Sequence, residues 1–306
     1  MSRGAHWVIG AVPVVSAVPC PIDISPLPEL GLGGNLVSSA VRPQFSVRSA
    51  TSLTIAGSDS GGGAGIQADL KTFAALGVHG TSAVTCITAQ SPKVLDHIRP
   101  VAAAVVWRQM EAVWSEFKPA AAKTGMLYSA GIVREVEKFF RSHRVPLVVD
   151  PVMVATSGRR LLQPAALPEL KKLFRLATLI TPNLYETGQL LKRRIRSEQE
   201  MRIAAKALQA QFGCAVLVKG GHLRGSTAAV DLFFDGSNEL FLTSPYIAGV
   251  LTHGTGCTYS AAITAYLARG LALPKALESA KEFITQAIVH RTKAGDHEVL
   301  NSFWAF

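Results

Sequence analysis

A chain of 306 residues, 48% of them hydrophobic, can bury the core of one large α/β domain or of two smaller ones. No uninterrupted apolar run reaches the roughly 18 to 20 residues that cross a bilayer, so a soluble protein without membrane partners is expected. The 31 Lys and Arg against 21 Asp and Glu leave a net charge of +10, which weakly favours an anionic ligand, but the charge alone does not make a nucleic-acid-binding protein.

The densest basic cluster, Lys192, Arg193, Arg194 and Arg196, has no interleaved aromatics and reads as solvated surface. Cys20, Cys86, Cys214 and Cys257 are too scattered for a disulfide framework or a zinc site, which favours a reducing compartment.

Residues 1 to 50 form an N-terminal extension of different character. They are rich in Pro, Val, Ser and Gly, contain only Asp23 and Glu29 as acids, and show no sustained period. An acid-poor organelle-targeting segment fits this composition, and so does a disordered extension. The location expected is therefore the cytoplasm, or a chloroplast or mitochondrion if these residues are a transit peptide.

Residues 51 to 306 read as one domain. Leu53 to Ala56 reads as a buried strand, Gly65 to Leu76 as a helix, Thr81 to Ala89 as a strand, and Val101 to Phe117 as a helix opened by Pro100. Ala120 to Thr124, Leu147 to Val149, Leu179 to Thr181 and Val216 to Lys219 are further short apolar strands, each followed by helical periodicity. Such alternation predicts parallel strands joined by crossover helices. Val230 to Phe234 and Leu240 to Thr243 flank Asp235-Gly236 and read as an antiparallel hairpin at one edge.

In an open parallel sheet the ligand lies beyond the carboxyl ends of the strands, and the polar and Gly-rich residues fall at those places. Gly57 to Gly65 follows the first strand and Gln90 ends the second. Gly125-Met126, Asp150-Pro151, Asn183 to Glu186 and Lys219 to His222 follow in order. Gly61, Gly63 and Gly65 do not have dinucleotide-loop spacing, and Gly220 to Ser226 lacks the lysine of a Walker loop. Any nucleotide phosphate must be held by another device.

Thr252-His253-Gly254-Thr255-Gly256-Cys257, with a helix from Thr258 to Arg269 behind it, is the candidate. Two glycines let consecutive amides of this loop point at one spot, and the helix adds the positive end of its dipole. A thiol at that place has its thiolate favoured, so Cys257 can serve as a proton acceptor, although a small buried Cys in a turn is the commoner reading of these six residues alone. Asp69, one turn into its helix, can accept hydrogen bonds from a bound heterocycle or simply complement the dipole. Gln90 and Met126 can grip a flat ring or serve the fold. Asp150 and Glu186 suit water-mediated Mg²⁺ beside phosphates. Asn183 can equally be an N-cap, and Lys219 reaches either phosphates or solvent.

Together, Ala56 to Thr72, Asp150-Pro151-Val152-Met153, Thr181 to Glu186, Lys219-Gly220-Gly221-His222 and His253 to Cys257 closely resemble the hydroxymethylpyrimidine/phosphomethylpyrimidine kinases of thiamine synthesis. These belong to the ribokinase-like superfamily, and the resemblance spans about residues 52 to 290. It implies a three-layer α/β/α sandwich with a mostly parallel sheet. The implied reaction is ATP- and Mg²⁺-dependent phosphorylation of 4-amino-5-hydroxymethyl-2-methylpyrimidine, then of its monophosphate.

By the same resemblance Gly57, Asp69, Gln90 and Met126 would contact the pyrimidine, and Cys257 would be the base within an anion hole of Gly254, Thr255 and Gly256. Asp150 and Glu186 would hold Mg²⁺, with Asn183, Lys219 and Thr252 near the nucleotide. It also implies a homodimer. Pyridoxal/pyridoxine kinase is the rival within the superfamily, with Gln90 as discriminator, since some pyridoxal-phosphorylating relatives carry Met there. A catalytically inactive vitamin-binding module is the non-enzyme alternative. The tail Gly295 to Asn301 lacks the Gly-rich end usual in the family, and the chain shows no thiamine-phosphate synthase part after Phe306.

Overall fold

Strand β1 (Thr51–Ser58) lies inside a nine-stranded sheet, with β2 (His79–Gln90) parallel to it on one side and β4 (Ala121–Thr124) on the other. Beyond β4 run β5 (Leu147–Val149), β6 (Leu179–Ile180) and β7 (Ala215–Lys219), all parallel. The computed structural model describes residues 49–155, 158–221, 223, 228–247, 249 and 253–305. The extension read as a targeting segment, together with His222 and Thr252, lies outside them.

The expected hairpin closes one edge: β8 (Ala228–Phe234) is antiparallel to β7, and β9 (Glu239–Pro245) to β8. Two elements depart from the sequence reading. The strand at Val216 to Lys219 leads into β8 and not into a helix. At the opposite edge an unforeseen strand, β3 (Leu95–Pro100), pairs antiparallel with β2. It is mostly exposed and carries charged residues, so it lacks the apolar run that marks the other strands. Pro100 closes β3, and the Val101 amide donates to Thr85 O at 2.8 Å. Helix α2 (Ala103–Phe117) therefore begins two residues later than Pro100 suggests.

Side-chain alternation along the strands divides the core in two. Leu53, Ile55, Val149, Val216 and Val218 pack with α2, α3 (Ala130–Ser142), α4 (Leu167–Phe174), α5 (Leu184–Leu191) and α6 (Glu198–Phe212). Val148 and Leu217 pack on the other face with α7 (Thr255–Ala268) and α8 (Leu273–Val289). Helix α1 (Gly65–Ala75) lies beside α7, with Phe73 against Ala261 and Ala265. This is the expected three-layer arrangement, with every crossover helix laid on one face or the other.

The tail forms a small hairpin, β10 (Thr292–Ala294) and β11 (His297–Val299), turned at Gly295.

Phe139 anchors the α2–α3 layer. It is fully buried and meets the rings of Trp107, Trp114, Phe140 and His143 at centroid distances of 5.6, 5.7, 5.3 and 4.0 Å. Phe139→Ala should cost about 3–5 kcal/mol in denaturant unfolding, through lost burial and the cavity left behind. A loss under about 1 kcal/mol would mean that this cluster does not hold the layer.

Candidate active site

The strand ends deliver their side chains to one small cleft of about 170 Å³. Gly57, Gln90, Gly125, Met126, Asp150, Asn183, Glu186, Lys219, Gly254, Gly256 and Cys257 all line it. Thr255 and Asp69, also expected at the site, do not. A larger open depression of about 990 Å³ lies over the α5–α6 turn, lined by Lys192, Arg193, Arg194 and Arg196. Its lining carries no acid and no thiol, in keeping with a solvated basic face.

Helix α7 begins at Thr255, three residues earlier than the sequence pattern indicates, so Cys257 sits within its first turn. Gly254 adopts φ +83, and a Cβ there would run into the Gly63 carbonyl oxygen. The Thr258 amide already bonds to Gly254 O at 2.9 Å. The amides of Thr255, Gly256 and Cys257, at the first helical positions, have no acceptor inside the helix and form an anion hole. Thr255 Oγ1 is buried with no hydrogen-bond partner.

Against this terminus stand two opposite charges. Lys219 Nζ donates to Asp150 Oδ1 at 2.8 Å, and Thr181 Oγ1 donates to the same oxygen at 3.1 Å. A Cβ on Gly256 would lie 3.4 Å from Lys219 Nζ and 3.6 Å from Asp150 Oδ2, so the pair abuts the anion hole. Burial works against the Lys219 ammonium, but Asp150 and Glu186 outweigh it and hold it above its ordinary range. Lys219 is thus turned inward and not toward solvent.

Asn183 is an N-cap, and it shares a capping box with Glu186. The Glu186 amide donates to Asn183 Oδ1 and the Asn183 amide to Glu186 Oε2, both at 2.9 Å. The cap fixes the Glu186 carboxyl at the cleft. Burial, with Asp150 nearby, pushes that carboxyl up to about 7, against the pull of Lys219. Asp150 Oδ2 and Glu186 thus form a crowded acidic corner that a cation would relieve. Two carboxylates beside phosphates suit Mg²⁺, which keeps most of its water. No group of three or more metal-ligating side chains occurs among the described residues.

Beneath the cleft lies a second pair. Asp69 is fully buried, accepting from Lys123 Nζ and Thr54 Oγ1, each at 2.6 Å. Both of its oxygens are engaged, so it stands under the wall and not on it. Thr54 and Lys123 are register partners on β1 and β4, which is why both reach the same carboxylate. Lys123 is fully buried, and its Nζ would lie 3.9 Å from a Cβ on Gly125 in the cleft lining. Burial opposes the ammonium, but Asp69, with Cys257 and Asp150 behind it, outweighs that and holds Lys123 charged.

Cys257 contradicts the expected thiolate. Burial pushes its thiol up to about 11, and Asp69 and Asp150 add to this; Lys123 and the Gly65 amide pull the other way without prevailing. The helix terminus alone does not set this thiol, because burial strips it of water and two carboxylates share its surroundings.

Two further residues went unread in the sequence. Asp59 accepts from the amides of Gly61, Gly63 and Ala64 at 2.8, 3.1 and 2.8 Å, and lies 3.1 Å from His253 Nε2. Burial opposes its charge, but His253 and the loop amides outweigh it and hold the carboxyl below its ordinary range. An Asp ahead of Gly61 and Gly63 is the signal for such a turn. Lys123 left a fainter trace, a lysine within the buried run Ala121–Thr124.

A parallel sheet with helices on both faces, an anion hole opening on the carboxyl ends of its strands, and a thiol and acids around it define a ribokinase-like phosphotransferase. The description "Phosphomethylpyrimidine kinase" belongs to the family model that matches residues 59–301. A hydroxymethylpyrimidine/phosphomethylpyrimidine kinase from Rhizobium meliloti is 47% identical over 241 residues, covering 78% of this chain and 90% of the relative. The ADP complex of Bacillus subtilis pyridoxal kinase superposes with a TM-score of 0.77 at 37% identity, covering 83% of this chain and 98% of that one. A phosphomethylpyrimidine kinase from Clostridium difficile gives a TM-score of 0.69 at 40% identity, covering 78% and 99%. The chain belongs to the phosphomethylpyrimidine kinase family.

Two outcomes test the charges at this site. Lys123→Met should cost about 3–5 kcal/mol of stability by stranding the buried Asp69, and adding Asp69→Asn should recover part of it in the same unfolding assay. Alkylation of Cys257 by iodoacetamide in the ligand-free protein should follow a midpoint near pH 11, where burial places the thiol. A midpoint at or below the ordinary cysteine value of about 8.5 would contradict that environment.

Proposed function

We propose that this protein transfers the γ-phosphoryl group of ATP to the primary alcohol of 4-amino-5-hydroxymethyl-2-methylpyrimidine, and then phosphorylates the monophosphate to the diphosphate. The observation that carries this reading is the meeting of Cys257, the free α7 amides, the Lys219–Asp150 pair and Gln90 around one small cleft.

Gln90, Gly57 and Met126 would hold the ring. A Cβ on Gly57 would lie 3.2 Å from Met126 Sδ, so glycine leaves the ring its room there. Asp69 supports this floor from below through Lys123 and Thr54. Cys257, as thiolate, takes the hydroxyl proton while the alcohol oxygen bonds to the γ-phosphorus and the bond to the ADP oxygen breaks. The amides of Thr255, Gly256 and Cys257 hold the charge that develops on the transferred group, and Lys219 faces the phosphates.

Asp150 and Glu186 would hold Mg²⁺ through water, the ion supplying charge neutralisation of the phosphates. In the ligand-free site burial, with Asp69 and Asp150, disfavours the Cys257 thiolate, and Lys123 is the charge that favours it.

Pyridoxal/pyridoxine phosphorylation is the second reading, favoured by the likeness to the B. subtilis pyridoxal kinase. Gln90 argues for the aminopyrimidine, since an amide pairs a donor and an acceptor with one ring edge and a site left unpaired rejects its ligand. A homodimer is also part of the proposal, supported by exposed Ile87 and Val94 near the β3 edge. So is a reducing location, the cytoplasm or an organelle, with residues 1 to 50 as a separate extension. Cys86, Cys214 and Cys257 are free.

With ATP, Mg²⁺ and the pyrimidine alcohol, the purified protein should release ADP and yield mono- and then diphosphate; absence of turnover with both acceptors would refute the assignment. Cys257→Ala should lower kcat by about 10²–10⁴, as for loss of a general base, with nucleotide Kd little changed. Equal losses in both would make the cysteine structural.

A further inference from the structure

Gln90 ends β2 with its side chain half-buried at the cleft. Its amide lies between two groups whose hydrogens are already committed. Asp59 accepts three loop amides, a task for a carboxylate with no hydrogen of its own to give. His253 Nε2, 3.1 Å from Asp59 Oδ2, must therefore carry a hydrogen and donate it. At the other end, the single hydrogen of Thr88 Oγ1 goes to the Ser58 carbonyl at 2.8 Å.

Gln90 approaches His253 Nε2 to 3.4 Å and Thr88 Oγ1 to 3.5 Å. The amide is placed with its nitrogen toward His253 and its oxygen toward Thr88, which sets donor against donor and acceptor against acceptor. A half-turn of the amide relieves both, because its oxygen then shares the Nε2 hydrogen with Asp59 Oδ2 in a three-centre bond and its nitrogen faces a hydroxyl lone pair. One N–H and one oxygen lone pair stay free to face the cleft.

We propose that His253 is a specificity-determining positioning residue, which sets the Gln90 amide so that its free N–H and lone pair match a ring nitrogen lying beside an exocyclic amine. The amidine-like edge of an aminopyrimidine has that order of acceptor and donor, and a hydroxypyridine does not. The inference rests on the reading above that Gln90 meets the substrate ring. It adds that the selectivity of Gln90 is imposed from the anion loop: His253 adjoins Gly254 and is itself fixed by Asp59 on the β1–α1 loop.

Two measurements test it on the full-length protein. Nitrogen NMR of the histidine ring should show a protonated, pyrrole-type Nε2 in His253; a pyridine-type Nε2 would overturn the proposal, because that nitrogen would then accept from Gln90. The kcat/KM ratio for the pyrimidine alcohol over pyridoxine is the second readout. His253→Leu should lower the ratio about tenfold or more, and His253→Gln, whose amide nitrogen reaches the Nε2 position, should restore much of it.

Gln90→Met should lower the ratio as far, and the double variant no further, since both act through one amide. Equal loss on both substrates in His253→Leu, or additive effects on the ratio, would overturn the proposal. If His253→Leu does not fold, the ring spectrum and the Gln variant still decide. A wild-type protein inactive on the pyrimidine alcohol removes the substrate assignment and this inference with it, whereas normal activity with an unchanged ratio in the variants removes only the inference.

Discussion

Helices α1 and α7 begin side by side, each started by a close backbone approach that falls on a glycine. Gly65 (φ +57) and Gly254 (φ +83) both occupy left-handed backbone, and a Cβ on either would strike a carbonyl oxygen, that of Gly57 or that of Gly63. Only glycine allows that approach at both places. The result is two helix N-termini at one cleft, a concentration of positive dipole that neither loop supplies alone. The other charges of the site are disposed around this point.

Those charges come in pairs of opposite sign. Lys123 answers Asp69 below the cleft and Lys219 answers Asp150 at its side, while Asp59 is satisfied by loop amides and His253. Such burial is costly unless each charge is partnered. Burial still disfavours the ionised forms of Asp69, Glu186 and Cys257 despite that pairing. A cation at the Asp150–Glu186 corner would favour the ionised Glu186.

Much of the scaffold was legible because its signals are local. β5 was read at its observed bounds, Leu147–Val149, from a run of apolar residues, and the hairpin of β8 and β9 from Asp235-Gly236 between two such runs. β3 was not legible, since an exposed edge strand with polar residues looks like a loop. The parallel order also explains why ligand-facing residues could be placed: successive strand ends must fall on one rim. Lys123 escaped because its meaning depends on a carboxylate 54 positions away in sequence.

The sequence by itself determined the alternation of strands and helices, the family, and which residues gather at the rim, because periodicity and short motifs are written along the chain. Only the tertiary structure decided the electrostatic character of those residues. The Cys257 thiol is raised and not lowered, Asp69 is withdrawn under the wall, and His253, held beside Asp59, lies next to Gln90. Each of these follows from burial and from partners brought together by folding, and desolvation and through-space charge have no counterpart in the order of residues.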